Sequence, residues 1–417
     1  MRLDVKTTYK FFSFLFILSL LSPYIREPFL IKYDYVIIFI SSPLMLLKFI
    51  QNSKYDKVYI NSFLLFVVFF IISFLSDNLG LFLMDNYLFY FPREVIQVFN
   101  RLYIFTFFYF IVRKQIVNFD WLIKLFGYIA IIALIIGFIQ VLQVESLNTF
   151  FNTLYASTES QVKFLKNSWN IRVFGTIGHP IKWGGISFLF FWFFVLIYQH
   201  KFKYLGVLLA IVNILLTKSK ASISALILTL VIAIVYYLIQ KRVFKSKFLI
   251  GAFVVFVVFF ALLFTGKFNG LIYRFSILFE KLGVGELGRQ GQMSKMVEFL
   301  NQNFLFWIFG MGKPNFDVFQ KLMEIEFLYI LGVYGFIGIF YYLFFHLYFI
   351  DIFLKQGKIV ERNFVIIVFT GFFIFSIGYY FFREINGAFQ FWMLLGMLYG
   401  HIKNKGTVNN YESITYK

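Results

Sequence analysis

The residues best suited to chemistry stand in or near one long polar segment, 267–326, which lies between dense hydrophobic stretches. Arg289 comes just before a run with helical periodicity, where a guanidinium can hold a phosphate group through two parallel hydrogen bonds. Glu324 and Glu326 close the segment at the outer lip of the next hydrophobic stretch, where a partly desolvated carboxylate can act as a general base. The structural alternatives are a lipid-facing arginine and helix N-terminal charges. The segment is therefore expected to bind the ligand or to perform the chemistry.

Other charged residues stand close to the ends of hydrophobic stretches. Glu94, Gln97 and Arg101 share one face of a predicted helix, and Arg101 falls inside the hydrocarbon region, where a charge is costly and is either functional or paired. Pairing of Arg101 with Glu94 is the structural alternative. The remaining candidates on the same side of the membrane are Arg172, His179, Lys218, Lys220 and Arg383. Together these groups could line one substrate-binding cavity.

Composition places the chain in a membrane. Hydrophobic residues make up 60% of it and aromatic residues 24%, more than a soluble domain of this length could bury. Cysteine is absent and the four histidines are scattered, which argues against a thiolate, zinc or haem site, so no metal or other cofactor is expected. The net charge of +19 suits anionic lipids and phosphate-bearing substrates. Nucleic-acid binding is disfavoured because the basic residues are spread over short loops.

The positions of the hydrophobic stretches predict an all-α polytopic membrane protein, a single transmembrane domain over 1–417. About twelve spans are expected, at 9–25, 33–50, 58–76, 95–112, 121–143, 180–199, 204–217, 222–239, 248–266, 327–350, 364–382 and 385–402. The bias of lysine and arginine among the short loops puts both termini in the cytoplasm and the loops 144–179 and 267–326 outside. His200, His346 and His401 are then ordinary residues at or near the inner interface.

The loop 267–326, between the ninth and tenth spans, has its own internal pattern. Apolar residues recur at helical spacing from Met293 to Ile308, which predicts one amphipathic helix lying on the membrane surface or packed over the bundle, ended by Gly310 and Gly312. The sequence 283–288 matches G-x-G-x-x-G, but that motif binds dinucleotides only after a strand in a βαβ unit. Between membrane helices it indicates a hinge.

Four blocks of sequence add a family resemblance. They are 172–180 (RVFGTIGHP), 217–222 (TKSKAS), 288–312 (Gly-Arg, a helix, then F-G-M-G) and 326–338 (EFLYILGVYGFIG). In this order they resemble the R-x-x-G-x-x-x-x-P segment, the S-[RK]-[AG] turn, the Arg-helix-G-x-G loop and the glutamate-led, glycine-bearing helix of the O-antigen polymerase and ligase superfamily of bacterial polysaccharide assembly. The resemblance covers roughly Arg172 to the end of the tenth span.

This resemblance implies an enzyme, a membrane glycosyltransferase that polymerises repeat units for a capsule, exopolysaccharide or O-antigen. Its substrates would be oligosaccharides linked to undecaprenyl pyrophosphate, joined on the outer face of the bacterial cytoplasmic membrane. Arg172 and Arg289 would stabilise charge on the departing pyrophosphate, and Glu326, or Glu324 failing that, would accept the proton of the acceptor hydroxyl. Arg101, His179, Lys220, Glu324 and Arg383 would contribute to substrate binding. Membrane lipids are expected partners, and a flippase and a chain-length regulator are compatible ones; nucleic acid is not.

Two alternatives to the polymerase remain open. A ligase of the same superfamily is expected to carry a catalytic histidine in its large outer loop, and 267–326 contains none. A flippase for lipid-linked oligosaccharides should show related halves and a charged cavity deep in the bundle. The sequence shows no repeat between its halves, and it places the charges at the outer lip.

Overall fold

The computed structural model describes residues 5–22, 24–25, 31–53, 56–84, 94–142, 144–155, 172–239, 289–319, 325–380, 382 and 385–412. These residues form a helical bundle. The strands within them are one antiparallel pair of two residues each, Tyr24–Ile25 against Ile31–Lys32. For this part of the chain, the expectation of an all-α fold is therefore confirmed.

The described residues form fifteen α-helices. These are α1 (Val5–Leu18), α2 (Tyr33–Ser53), α3 (Lys57–Leu83), α4 (Val95–Arg113), α5 (Phe119–Ile139), α6 (Glu145–Tyr155), α7 (Pro180–Trp192), α8 (Lys203–Leu216), α9 (Lys220–Ile239), α10 (Arg289–Leu300), α11 (Phe304–Phe309), α12 (Gly312–Phe319), α13 (Glu326–Gln356), α14 (Ile359–Gly378) and α15 (Ile385–Glu412). Two 3₁₀ turns follow α1 and α5, at Ser19–Leu21 and Gln140–Leu142, and a π-helical turn at Phe193–Ile197 extends α7.

Six described helical segments are long and apolar enough to cross a membrane. They are Lys57–Leu83, Val95–Arg113, Phe119–Leu142, Pro180–Ile197, Glu326–Gln356 and Ile359–Gly378. Two shorter apolar helices, Lys203–Leu216 and Lys220–Val235, accompany them. The membrane character of the chain is therefore supported. The total of twelve spans and the placement of 267–326 outside remain predictions, and the ninth predicted span, 248–266, lies outside the described residues.

Helix α4 runs through the interior of the bundle. All of its side chains from Asn100 to Val112 are buried, and its main neighbour is α15. The two helices approach closely because α15 presents glycine at the seam. A Cβ at Gly396 would lie 2.4 Å from the carbonyl oxygen of Phe105. Small residues at such a seam are the usual device for close packing of membrane helices, and the contact at Phe105 lies about one turn from Arg101 on α4.

Helix α13 folds back on itself at Gly335. This residue has φ 63° and ψ −162°, and it divides the element into 326–334 and 336–356. The rings of Phe327 and Tyr342 lie 5.5 Å apart. In a continuous helix fifteen residues would separate them by about 22 Å. Only glycine fits at this bend, because a Cβ at Gly335 would also lie 2.3 Å from the carbonyl oxygen of Ile308.

The polar segment before α13 contains three short helices rather than the single amphipathic helix expected over Met293–Ile308. Helix α10 ends at Leu300, and α11 begins after Asn303, whose side-chain oxygen accepts a hydrogen bond from the backbone of Leu305 at 3.0 Å. That cap breaks the predicted helix because asparagine satisfies the free N–H groups of a new helical start. Met296, Phe299, Leu300, Phe306 and Met311 are buried, so the segment packs over the bundle.

Candidate functional site

A cavity with a volume of about 50 Å³ lies between α3, α4 and the two halves of α13, and it opens to the outside of the protein. Its polar wall consists of Glu94 and Gln97 at the start of α4, Arg101 further along the same helix, and groups from α13. The full lining is Phe69, Glu94, Gln97, Val98, Arg101, Glu326, Tyr329, Ile330, Tyr334, Gly338, Tyr341, Tyr342, Phe345 and His346. The cavity therefore brings together the start of the fourth predicted span and the start of the tenth.

Arg101 is the cation of this cavity. It is 7% exposed, and among the described residues its Nε has no hydrogen-bond partner and no carboxylate forms an ion pair with it. The Glu326 carboxylate and the Tyr341 and Tyr342 hydroxyls lie within electrostatic range. A guanidinium removed from water without a direct partner costs several kcal/mol. Such a group is available to an anion that enters the cavity.

Glu94 does not pair with Arg101, so the structural alternative considered from the sequence is wrong. Its carboxylate accepts hydrogen bonds from the Tyr329 hydroxyl and, at 2.5 Å, from the Tyr334 hydroxyl. The Lys313 ammonium lies 4.0 Å from the same carboxylate. These charge-assisted bonds tie the first half of α13 to the start of α4 and to α12. Glu94 is thus engaged in holding the cavity wall.

Glu326 is inside the protein and not at its lip. It has no exposed surface, and its Oε2 accepts hydrogen bonds from the Ser376 hydroxyl at 2.7 Å and from the Phe382 backbone N–H at 3.2 Å. The sequence-based position is wrong because the chain turns at Gly335. The segment 326–334 therefore runs back alongside 336–356, and the start of α13 lies beside Tyr342 instead of at the end of a straight span.

His346 is the functional candidate that the sequence reasoning missed, and its expected place at the inner interface is wrong. It is 1% exposed and lines the cavity. In the predicted span 327–350, position 346 lies near the end that faces the cytoplasm. Counting from the bend at Gly335 puts it about three turns along the helix. A histidine in the middle of an apolar stretch was the available signal.

A second polar region is built around Arg172, where the segments 172–180 and 217–222 meet. The Arg172 Nε donates to the carbonyl oxygen of Thr217 at 3.0 Å, which joins the segment 172–180 to the turn between α8 and α9. The Gln140 side chain fixes the same segment, accepting from the Phe174 and Gly175 N–H groups at 3.1 and 3.0 Å. Lys220 begins α9 directly after this turn.

Tyr379 and Phe382 lie between the two regions. Tyr379 stacks on His179, with ring centroids 5.4 Å apart, and His179 stands just before Pro180 at the start of α7. Three residues later the Phe382 N–H binds Glu326 in the cavity wall. One short segment thus contacts both the Arg172 region and the Arg101 cavity.

The remaining predicted site residues fall partly or wholly outside the described part of the chain. Arg289 begins α10, but its side chain lies outside it, as do Glu324 and Arg383 entirely. Among the described residues, no group of three or more His, Asp or Glu side chains is placed to hold a metal ion.

What the described site offers is a buried cation, a carboxylate and an imidazole around one space. No family model matches the chain, and no curated protein matches it.

Proposed function

We propose that the chain polymerises lipid-linked oligosaccharide repeat units, and that the Arg101 cavity holds the pyrophosphate of the donor. The observation that carries the proposal is the buried Arg101 guanidinium, which faces an open space and, among the described residues, has no hydrogen-bond partner at Nε. An arginine in that setting is suited to a phosphate group, because its planar fork matches two phosphate oxygens and little water competes.

The proposed reaction makes one bond and breaks one. The acceptor hydroxyl oxygen attacks the anomeric carbon of the donor sugar, and the bond from that carbon to the pyrophosphate oxygen breaks with its electron pair. The pyrophosphate gains one negative charge as it leaves, and the hydroxyl loses a proton. Arg101 stabilises the developing charge, an effect typically worth about a hundredfold or more in rate.

Two arginines predicted from the sequence would act beside Arg101 in this proposal. Arg289 would contact the pyrophosphate from α10, and Arg172, whose Nε donates to the Thr217 carbonyl oxygen, would hold the turn that starts α9 and so shape the donor site. The sequence also assigns the proton to Glu326. In this orientation the start of α4 faces outward, where lipid-linked units are joined, and both termini are cytoplasmic. No cofactor is needed because pyrophosphate is already a good leaving group.

Transport of lipid-linked oligosaccharides is a second candidate, and one observation favours it. The sequence counted against a flippase because the charges were expected at the outer lip. Glu326 is instead buried inside the bundle beside Arg101, whose interior position the sequence predicts, and this is the setting that a transport cavity requires. A ligase would share the proposed donor site and would differ in its acceptor.

The glycan profile of a deletion strain separates these functions. The polymerase proposal predicts single repeat units that accumulate on the lipid carrier at the outer face. Long chains that remain on the carrier would identify a ligase, and units that stay on the inner face would identify a flippase. Restoration of long chains by the wild-type gene, but not by one encoding Arg101→Gln, would tie the function to the cavity.

A further inference from the structure

The most informative unused group in the cavity is the His346 ring. Its Nδ1 lies 2.7 Å from the carbonyl oxygen of Tyr342. A carbonyl oxygen only accepts hydrogen bonds, so Nδ1 carries the hydrogen atom and donates it. In that tautomer of the neutral ring, Nε2 presents a lone pair. Among the described residues Nε2 has no hydrogen-bond partner, although the side chain is almost fully buried.

The His346 ring packs among aromatic side chains, and the polar groups near it belong to the cavity. Four aromatic rings pack against it: Phe369 and Phe373 of α14, Trp392 of α15, and Phe382. The Phe382 ring centroid lies 4.1 Å from that of His346. The Arg101 guanidinium of α4 lies within electrostatic range of the ring, and Glu326 and Tyr342 of α13 line the space beside it. All three belong to the same cavity. A buried acceptor atom of this kind normally has a donor, and an entering ligand would supply one.

We propose that His346 Nε2 accepts the proton of the acceptor hydroxyl during chain extension. This inference rests on the proposed function. The hydroxyl oxygen forms its bond to the anomeric carbon while its proton passes to Nε2, and the carbon–pyrophosphate bond breaks with its electrons staying on the pyrophosphate. The protonated ring then returns its proton to water after the product leaves. Atoms and charge balance without an additional reactant.

His346 suits this role better than Glu326, the residue predicted from the sequence. The Glu326 Oε2 is already engaged by Ser376 and Phe382, and its charge faces Arg101. These two hydrogen bonds hold the Glu326 carboxylate in the cavity wall and occupy the oxygen that would have to meet an entering hydroxyl. His346 is held by one bond only, at the nitrogen that is not needed for catalysis. A pyrophosphate on Arg101 would also offset the positive charge that forms on the ring, so donor binding prepares the base.

The experiment compares two substitutions that separate basicity from hydrogen bonding. Purified full-length protein is given lipid-linked repeat units, and kcat, KM and donor binding are measured. His346→Gln places an amide near Nε2, which preserves a hydrogen-bond acceptor without a base. His346→Asn keeps a donor to the Tyr342 carbonyl and removes the group that faces the cavity. His401→Gln is the matched control, since His401 stacks on Phe119 away from the cavity.

The expected result is a fall in kcat of about a hundredfold or more for both His346 variants, as for loss of a general base, with donor binding within about threefold of wild type. In His346→Ala, added imidazole should restore part of the rate. His401→Gln should extend chains normally.

Normal kcat in His346→Gln would overturn the proton-transfer role, since an amide would then suffice. Loss of donor binding in both variants, without rescue by imidazole, would likewise reduce His346 to a structural residue. Failure of the polymerase proposal would look different, because the wild-type protein itself would extend no chains.

Discussion

The Arg101 cavity and the Arg172 turn each place an arginine among residues that the sequence singled out, but the two arginines are used differently. The Arg172 Nε donates to the carbonyl oxygen of Thr217, so this side chain helps to fix a backbone turn. The Arg101 Nε has no such partner within the described part of the chain. A sequence motif shows where along the chain a charged residue lies. Only the surrounding hydrogen bonds show whether that charge is available to a ligand.

The two arginines contribute to the stability of the folded protein with opposite signs. A hydrogen bond from a charged donor stabilises a folded protein by about 1.5–3 kcal/mol, and Arg172 makes one. Arg101 is removed from water without a direct partner, which is unfavourable until a ligand enters. Replacing Arg172 should therefore weaken the structure around it, and replacing Arg101 should remove function without a loss of stability.

The largest loss of activity should come from Arg101→Met, a substitution that roughly keeps the length of the side chain and removes its charge. Chain extension should fall about a hundredfold or more, because charge on the departing pyrophosphate loses its buried cation. The temperature of thermal unfolding should be unchanged or higher. Activity with lipid-linked repeat units and unfolding in detergent measure the two effects.

Arg113→Met is the matched control on the same helix, because Arg113 forms an ion pair with Asp56 and donates to the Tyr109 hydroxyl at 2.9 Å. This variant should unfold at a lower temperature, while the protein that remains folded extends chains normally. A destabilised Arg101→Met protein with a normal specific activity would reverse the assignment of the two arginines.

An intermediate effect is expected for Glu326→Gln. The amide oxygen can still accept from Ser376 and Phe382, so the cavity wall should persist and donor should still bind. Turnover should fall about tenfold, since one charge interaction near the reacting groups is lost. Steady-state kinetics beside His346→Gln provide the test. A fall in kcat larger than that of His346→Gln would return the role of base to Glu326, as the sequence predicts.

The smallest effect should follow Arg172→Ala. Loss of the bond to Thr217 should loosen the turn before α9 and raise the apparent KM for donor about threefold to tenfold, with kcat within about twofold. Arg172→Lys should recover part of this loss. An unchanged KM with a collapsed kcat would instead place Arg172 with the groups that stabilise the transition state.

The sequence predicts helices well in this chain because apolar stretches of membrane length leave little choice of structure. The predicted span 95–112 corresponds to α4, Val95–Arg113. The interior position of Arg101 also follows, since an arginine within such a stretch must lie inside the bundle. The break at Asn303 was harder to see, because the apolar periodicity continues across it.

The arrangement of the cavity could not be predicted because it depends on one bend. Gly335 belongs to a run of mostly apolar residues that is compatible with a straight helix. Its φ is nevertheless positive, and its Cα lies so close to the carbonyl oxygen of Ile308 that no Cβ would fit. That long-range contact leaves no periodic signal. Once the chain turns there, Glu326 moves from the lip to the interior, and His346 moves from the interface to the cavity.

Direct binding tests the central claim, that the Arg101 cavity holds a pyrophosphate. The affinity of purified wild-type, Arg101→Met and Arg172→Met proteins for a polyprenyl pyrophosphate would be measured against the uncharged polyprenol. One charged hydrogen-bonded contact to phosphate predicts that Arg101→Met binds the pyrophosphate about tenfold to a hundredfold more weakly than wild type. Arg172→Met should change the affinity only a few-fold, and the polyprenol should not distinguish the three proteins. Equal pyrophosphate affinity in wild type and Arg101→Met would contradict the account.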